Sequence, residues 1–437
     1  MGVKEEKKNI QAYAIGIDIA TDYSQISYIA KDMSEPQSIS TIPGETKYLI
    51  PTLMYKIKNS DDWYIGDKAK LKSYEDNDES YTVRNLLDRI YTGEELSIDG
   101  MVYTGTRLLA IYIEKLFDEA RYLENVEKSL YITVTVEKND KVIIDAIYEA
   151  LKELGYEREC IGVLSHTESF VYYAINQKKE LWTNDVALFD FNSDHFSYRK
   201  MTISRNSVAP TINIIESDYS NYIDMSYLET EAGKRSADEK FTKIIDNEFY
   251  KQIISTVYLT GVGFYADFAD NSLVELCSKR RVFKGYNLFV KGACYDALER
   301  YSGKNQCEFI IQCEGRTKAN IGLVINDGEK DATIALSNAG SSWYEAGARA
   351  ECILDGAKSI ELVVASSDGR VVRHIQVDLS EFPDRPNKTT RVGISMSYRD
   401  NNNTFDVAVK DLGFGDIFKA TNMLIRDTFW VDEILGV

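Results

Sequence analysis

Residues 13–30 read Tyr13-Ala-Ile-Gly-Ile-Asp18-Ile-Ala-Thr-Asp-Tyr23-Ser-Gln-Ile-Ser-Tyr-Ile-Ala30. An apolar run reaches one acidic residue, Asp18, turns through Ala20, Thr21, Asp22 and Tyr23, and resumes as an alternating segment, which predicts a β-hairpin. The chemical interest lies in the turn. Short side chains let backbone N–H groups face outward, and a carboxylate at the end of the first strand can hold a hydrated cation. Together they suit the phosphates of a nucleotide. A hairpin that only packs a core, its Asp capping the turn through its own backbone, would read the same way. The choice therefore rests on the surrounding chain.

Working outward, residues 129 to 205 alternate strand and helix. Leu130 to Val136 predicts a strand. Asp140 caps a helix with Ile143, Ile147, Ala150 and Leu151 on one face, and Gly155 ends it. Cys160 to Leu164 predicts a buried strand, with Thr167 capping the helix after it. Val186 to Phe191 and Phe196 to Ser204 form a second hairpin around another carboxylate, Asp190. The chain thus holds two strand-Asp-turn-strand units, which puts the two carboxylates in facing halves of one cleft.

Further on, Glu216 to Ile254 reads as mostly helical. The strand Thr256 to Leu259 runs into Thr260-Gly-Val-Gly-Phe264, a glycine-rich turn of the kind that lets backbone approach a ligand or a packed neighbour. A helix to about Lys279 and another over Tyr286 to Tyr301 complete this region. Before the second hairpin, Thr104 to Leu123 has one apolar helical face. From about residue 305 to 415 the pattern becomes short alternating strands with turns such as Ser367-Asp-Gly369, which predicts a separate antiparallel β-sandwich domain. Ala420 to Leu435 reads as a closing helix. The expected domains are residues 1–304 and 305–437.

Composition bounds the function. With 437 residues, 44% hydrophobic and 27% charged, the chain is globular and long enough for two to three domains. A formal charge of −18 argues against a nucleic-acid or anionic-membrane partner, because phosphate contacts need clustered Lys and Arg. No apolar run approaches the ~20 residues of a membrane span, and the first residues lack a signal peptide's apolar segment, so a cytoplasmic location is expected. Six cysteines without a Cys-x-x-Cys pair and three separated histidines (His166, His195, His374) argue against a zinc site or a disulfide framework.

Taken in order, these stretches resemble the Hsp70 branch of the actin-like ATPase superfamily, an α/β two-lobed domain followed by an Hsp70-like β substrate-binding domain. Ile15 to Ile26 resembles the first phosphate motif, with Asp18 at the metal-linked aspartate. Tyr64-Ile-Gly-Asp-Lys-Ala-Lys70 is similar to the family's Ile-Gly-Asp-x-Ala-Lys stretch. Arg84 falls near the catalytic lysine, and Ser165-His-Thr-Glu-Ser169 places Glu168 on the catalytic-site glutamate. Leu188-Phe-Asp-Phe191 resembles the second phosphate motif, and Leu259 to Phe264 the adenosine motif. Arg391 to Tyr398 and Phe405 to Asp411 are similar to the long hairpin that closes the family's β domain.

If the site is live, the resemblance implies ATP or ADP with Mg²⁺ held through water by Asp18 and Asp190, with Arg84, Glu168 and Asp190 as catalytic residues. The nucleotide would then face Asp18, Ala20, Thr21, Asp22 and Tyr23, Asn192, Ser193, Asp194 and His195, and Gly261, Val262, Gly263 and Phe264. The departures point the other way. Asn192-Ser-Asp-His195 stands where the family has glycines and a threonine, Ala20 replaces a glycine, and the catalytic lysine position reads as arginine. Asp194 brings a negative charge toward a polyphosphate, and like charges ~4 Å apart repel by about 4 kcal/mol at an effective dielectric near 20. Set against the family, the spacing between the second phosphate motif and the adenosine motif leads us to expect that most of the adenine-side subdomain is absent, and the helical lid with it. The reading is a degenerate or inactive Hsp70-like ATPase that binds a peptide or protein partner, with an active ATP-hydrolysing chaperone as the alternative. A sugar kinase or a filament-forming actin relative fits the C-terminal β region poorly.

Overall fold

The computed structural model describes residues 12–30, 33–42, 44–75, 82–120, 131–205, 209–303, 308–326, 331–399 and 403–436. The chain divides into two compact units, one of residues 1–202 and 214–307, the other of residues 203–213 and 308–437. Against the expected boundary at 304/305, the division falls at 307/308, and a short internal segment joins the C-terminal unit.

The first unit contains two sheets that repeat one strand order. In the first sheet, Ala12–Ile19 pairs antiparallel with Tyr23–Ala30 and parallel with Tyr131–Val136, which pairs parallel with Ile161–Ser165. In the second, Asp185–Phe191 pairs antiparallel with Phe196–Ser204 and parallel with Ile254–Thr260, which pairs parallel with Arg281–Lys284. Asp18 and Asp190 thus hold equivalent places, each near the C-terminal end of the strand where an antiparallel and a parallel neighbour meet. Ligands in α/β sheets gather at such crossings.

Each half has its own packing. Behind the first sheet, helix Leu288–Ser302 lies so close that a Cβ on Gly16 would overlap the backbone of Val290 and Cys294, so only glycine permits that approach. Gly292 of the same helix serves similarly, because a Cβ there would overlap the Ser169 backbone. The core of the second half is aromatic. Phe189, Phe191, Phe196, Tyr198, Phe241, Phe249, Phe264 and Phe268 form one buried cluster. Phe189 and Phe241 meet edge to face with centroids 4.9 Å apart, a favoured aromatic geometry.

Several local expectations need correction. Ser165, not Thr167, is the N-cap of helix His166–Ile175, and it forms a full capping box with Glu168. The region from Glu216 is not mostly helical at its start, because Thr211–Asp218 is a strand that extends the second sheet, and the helix begins only at Glu231. At the other end of the chain, Leu424–Trp430 is a strand paired with Thr404–Gly413, and only Val431–Leu435 is helical. The residues of that strand alternate poorly in polarity, and pairing rather than propensity decides its form. Two further turns that the sequence predicts, Asn326-Asp-Gly328 and Asp400-Asn-Asn-Asn403, lie outside the described residues except for Asn326 and Asn403.

The second unit holds, among its described residues, two four-stranded antiparallel sheets. One runs Asp331–Ser337, Ala319–Asn326, Ser359–Ser366, Val372–Asp378; the other runs Gly347–Leu354, Thr390–Tyr398, Thr404–Gly413, Leu424–Trp430. Alternate residues of the central strands are buried, as in Ile321, Leu323, Leu362, Val364, Val392, Ile394, Val407 and Val409. Asp411 is fully buried and grips Arg385 through two parallel bonds of 2.8 and 2.9 Å. Burial alone would raise the Asp411 pKa; Arg385, Thr421 and backbone N–H groups hold it far below the usual carboxylate range.

Candidate functional site

The two hairpin turns of the first unit close in the same way. Ala20 N–H donates to the Tyr23 carbonyl (3.1 Å), and Asn192 N–H donates to the His195 carbonyl (2.9 Å). Side chains then join the turns across the cleft. Thr21 Oγ1 donates to Asp194 Oδ2 at 3.1 Å, and Ser193 Oγ donates to Asp22.

Behind this clasp, Asp190 is completely buried and surrounded by donors. Asn192 Nδ2 donates to Oδ1 at 2.8 Å, His195 Nε2 meets Oδ2 at 3.0 Å, and Arg199 Nη1 lies 3.5 Å away. Burial would raise the Asp190 pKa, but the His195 and Arg199 cations override it and lower it to about 2. For His195 burial acts against the charged form; Asp190, Asp194 and Glu137 outweigh it and raise the pKa to about 10. The imidazole is therefore a cation at neutral pH, donating from Nδ1 to Asp194 Oδ1 (2.7 Å), with Glu137 at 3.8 Å. Arg199, itself buried, is held by Ser197 Oγ (3.0 Å) and Thr167 Oγ1 (2.9 Å).

On the other side, Asp18 Oδ1 pairs with His166 Nε2 at 2.9 Å, and the His166 ring stacks on Phe289 with centroids 4.0 Å apart. Asp18, Asp190, both turns, Glu137, His166, Gln25 and the Thr260-Gly-Val262 segment line one cavity of about 70 Å³. Small-molecule sites span roughly 300 to 1,000 Å³, so this space is several-fold too small for a nucleotide. Its walls carry five carboxylates and no lysine or arginine.

Of the residues expected to face a nucleotide, Asp18, Ala20, Thr21, Asp22, Tyr23, Asn192, Asp194, His195, Gly261 and Val262 line this cavity together with Asp190. Ser193 takes part through its bond to Asp22. Gly263 and Phe264 do not reach it: Phe264 belongs to the aromatic core, and a Cβ on Gly263 would overlap the Phe191 ring. Gly261, at φ +95°, is needed because the turn crosses directly over the Phe191 backbone. The glycines of this turn therefore serve strand packing. Glu168 Oε2 accepts from Asn139 Nδ2, Ser165 N–H and Ser165 Oγ at 2.8, 2.8 and 3.1 Å, which makes it a buried helix cap. Arg84 is exposed and is not among the residues that line the cavity.

The expected Mg²⁺-nucleotide fits this arrangement poorly. Asp190, one of the two carboxylates expected to anchor it, is neutralised by His195 and Arg199, Asp194 adds a negative charge on the side expected to face the phosphates, and no lysine or arginine lines the cavity. Sequence reasoning missed Arg199, Glu137 and His166. None has a spacing signal, since Glu137 and His195 meet across 58 positions. The capping box was legible as Ser-x-x-Glu.

The family model for the C-terminal part of DUF5716, a family of unknown function, matches residues 35–314, more than half of the chain. The chain belongs to the DUF5716 family. A second model, DUF8552, a domain of unknown function, matches residues 316–431, so the two matched regions meet near the division between the compact units. A comparison with curated proteins finds no match. Among the described residues, no helix is long and apolar enough to cross a membrane.

Proposed function

We propose that this DUF5716 chain is an Hsp70-like pseudo-ATPase, a two-unit binding protein whose nucleotide cleft has become a structural clasp. The observation that carries the reading is His195, a largely buried cation held among Asp190, Asp194 and Glu137 on the side expected to face the phosphates. A fixed internal cation supplies the charge balance that Mg²⁺ supplies in a live site, and it needs no ligand to do so. The repeated strand order of the first unit and the paired antiparallel sheets of the second support the resemblance to the actin-like ATPase and β-sandwich architecture.

Partner binding is supported by the second unit. Its strand Leu424–Trp430 ends the sheet order, and the connection leading into it exposes Phe414 (43%), Ile417 (85%), Met423 (39%) and Leu424 (45%). An apolar cluster beside an edge strand suits an extended peptide, which gains main-chain bonds from the edge and side-chain contacts from the cluster. Calorimetric titration with Mg-ATP and Mg-ADP tests the first half of the proposal: saturable binding below millimolar nucleotide, lost in Asp18→Ala, would overturn it. Anisotropy of a labelled apolar heptapeptide tests the second, with binding expected and at least tenfold weakening in Ile417→Asp/Leu424→Asp. No binding by the intact chain would reject the peptide site.

A further inference from the structure

We propose that two copies of this chain associate through the strand Gly347–Leu354, joining their four-stranded sheets across a two-fold axis into one continuous antiparallel sheet. This strand ends its sheet and pairs, among the described residues, with Thr390–Tyr398 alone. Its outer side therefore presents a row of main-chain groups that a further strand can bond. Edges that must stay single are blunted by bulges, proline or lysine. Here the register with Thr390–Tyr398 runs unbroken from Gly347 to Leu354, and the sequence Gly-Ala-Arg-Ala-Glu-Cys-Ile-Leu holds neither residue.

Symmetry limits the possible registers. Directly opposite residues of an antiparallel pair share a sheet face, and a two-fold axis normal to the sheet keeps each residue on its own face. A residue can therefore meet only residues an even number of positions away. Centred on Ala350, the pairing sets Arg349 opposite Glu351 of the second copy, and by symmetry it does so twice. Opposite Cβ atoms lie about 4.5–5.5 Å apart, close enough for the charges to pair. Arg349 and Glu351 both lie on the exposed face. Arg349 has no ion pair among the described residues, and Glu351 has a contact of 3.7 Å to Arg391.

The same register suits the remaining side chains. Ile353, 50% exposed, falls opposite Gly347 of the second copy, where the missing side chain leaves it room. On the half-buried face Ala348 meets Cys352 and Ala350 meets its own copy, so nothing bulky holds the backbones apart. The other three edges of the two sheets lack this self-complementarity. None of Asp331–Ser337, Val372–Asp378 and Leu424–Trp430 carries an arginine or lysine an even number of positions from an acidic residue. Arg373 with Asp378, and Arg426 with Asp427, fall on opposite faces. Charge complementarity thus selects a second copy of this chain as the occupant of the Gly347–Leu354 edge.

The peptide reading concerns Leu424–Trp430, the opposite edge of the same sheet, so the two proposals stand or fall separately. The test is sedimentation equilibrium of the full chain between micromolar and submillimolar concentration. A dimer is expected. Arg349→Glu or Glu351→Arg alone sets like charges across the axis twice and should weaken the dimer at least tenfold. Both residues are exposed, so thermal melts of the variants should match that of the parent. Mixing the two single variants should restore association, because each then meets the opposite charge, and the double variant Arg349→Glu/Glu351→Arg should dimerise by itself. A monomer throughout the range would overturn the proposal. So would a dimer that neither reversal weakens, or a weakened one that neither the mixture nor the double variant recovers.

Discussion

The turn at residues 20–23 and the turn at residues 192–195 have equivalent places in equivalent sheets, yet their carboxylates live in different electrostatic surroundings. Asp18 has one histidine partner, stacked on Phe289. Asp190 has an imidazolium, a guanidinium and an amide. Duplication of a backbone layout thus does not duplicate chemistry, because charge balance comes from side chains that other segments deliver. One half keeps a lightly held carboxylate; in the other the carboxylate is the centre of a buried ion network.

That difference can be broken most directly at the two aspartates. Asp190→Ala strands the buried Arg199 and removes the inner partner of His195, and should destabilise by about 3–5 kcal/mol, whereas Asp18→Ala leaves one histidine unpaired and should cost about 1–3 kcal/mol. Urea denaturation of both variants measures the gap, and equal losses would show that the network adds nothing. Next in size are the glycines. Gly261→Ala forces a side chain onto the Phe191 backbone at positive φ, and Gly16→Ala drives one into helix Leu288–Ser302; each should cost about 2–3 kcal/mol. Here the halves should behave alike, since both depend on close backbone approach.

A smaller effect is expected from pH. The folded-state pKa of His195 is raised above the ~6.5 of an unfolded histidine, so its contribution is complete below about pH 6.5 and is lost progressively as pH rises toward about 10. Asp190 is depressed to about 2, so its contribution is present above ~4 and lost only as pH falls toward 2. Melting temperature should therefore decline between pH 7 and 10, and the decline should flatten in His195→Gln. Smallest is the clasp itself: Thr21→Val and Ser193→Ala remove exposed bonds and should each change stability by less than about 1 kcal/mol, while speeding amide exchange in both turns.

What could be read from the sequence by itself was short in range. Both hairpins, the Asp140 cap, the helix after it and the alternating strands of the C-terminal unit follow from periods of 2 and 3.6 and from capping chemistry, which act over a few residues. The strand Leu424–Trp430 and the strand Thr211–Asp218 were missed because sheet neighbours decide them. The site divides along the same line. Asp18, Asp190 and their turns were legible because each carboxylate and its turn are contiguous. Only the tertiary structure decided that Asp190 is neutralised by Arg199 and His195 and that Thr21 bonds Asp194 across 173 positions. Charge balance in a buried cleft depends on distances through space, and no local pattern encodes which side chains converge there.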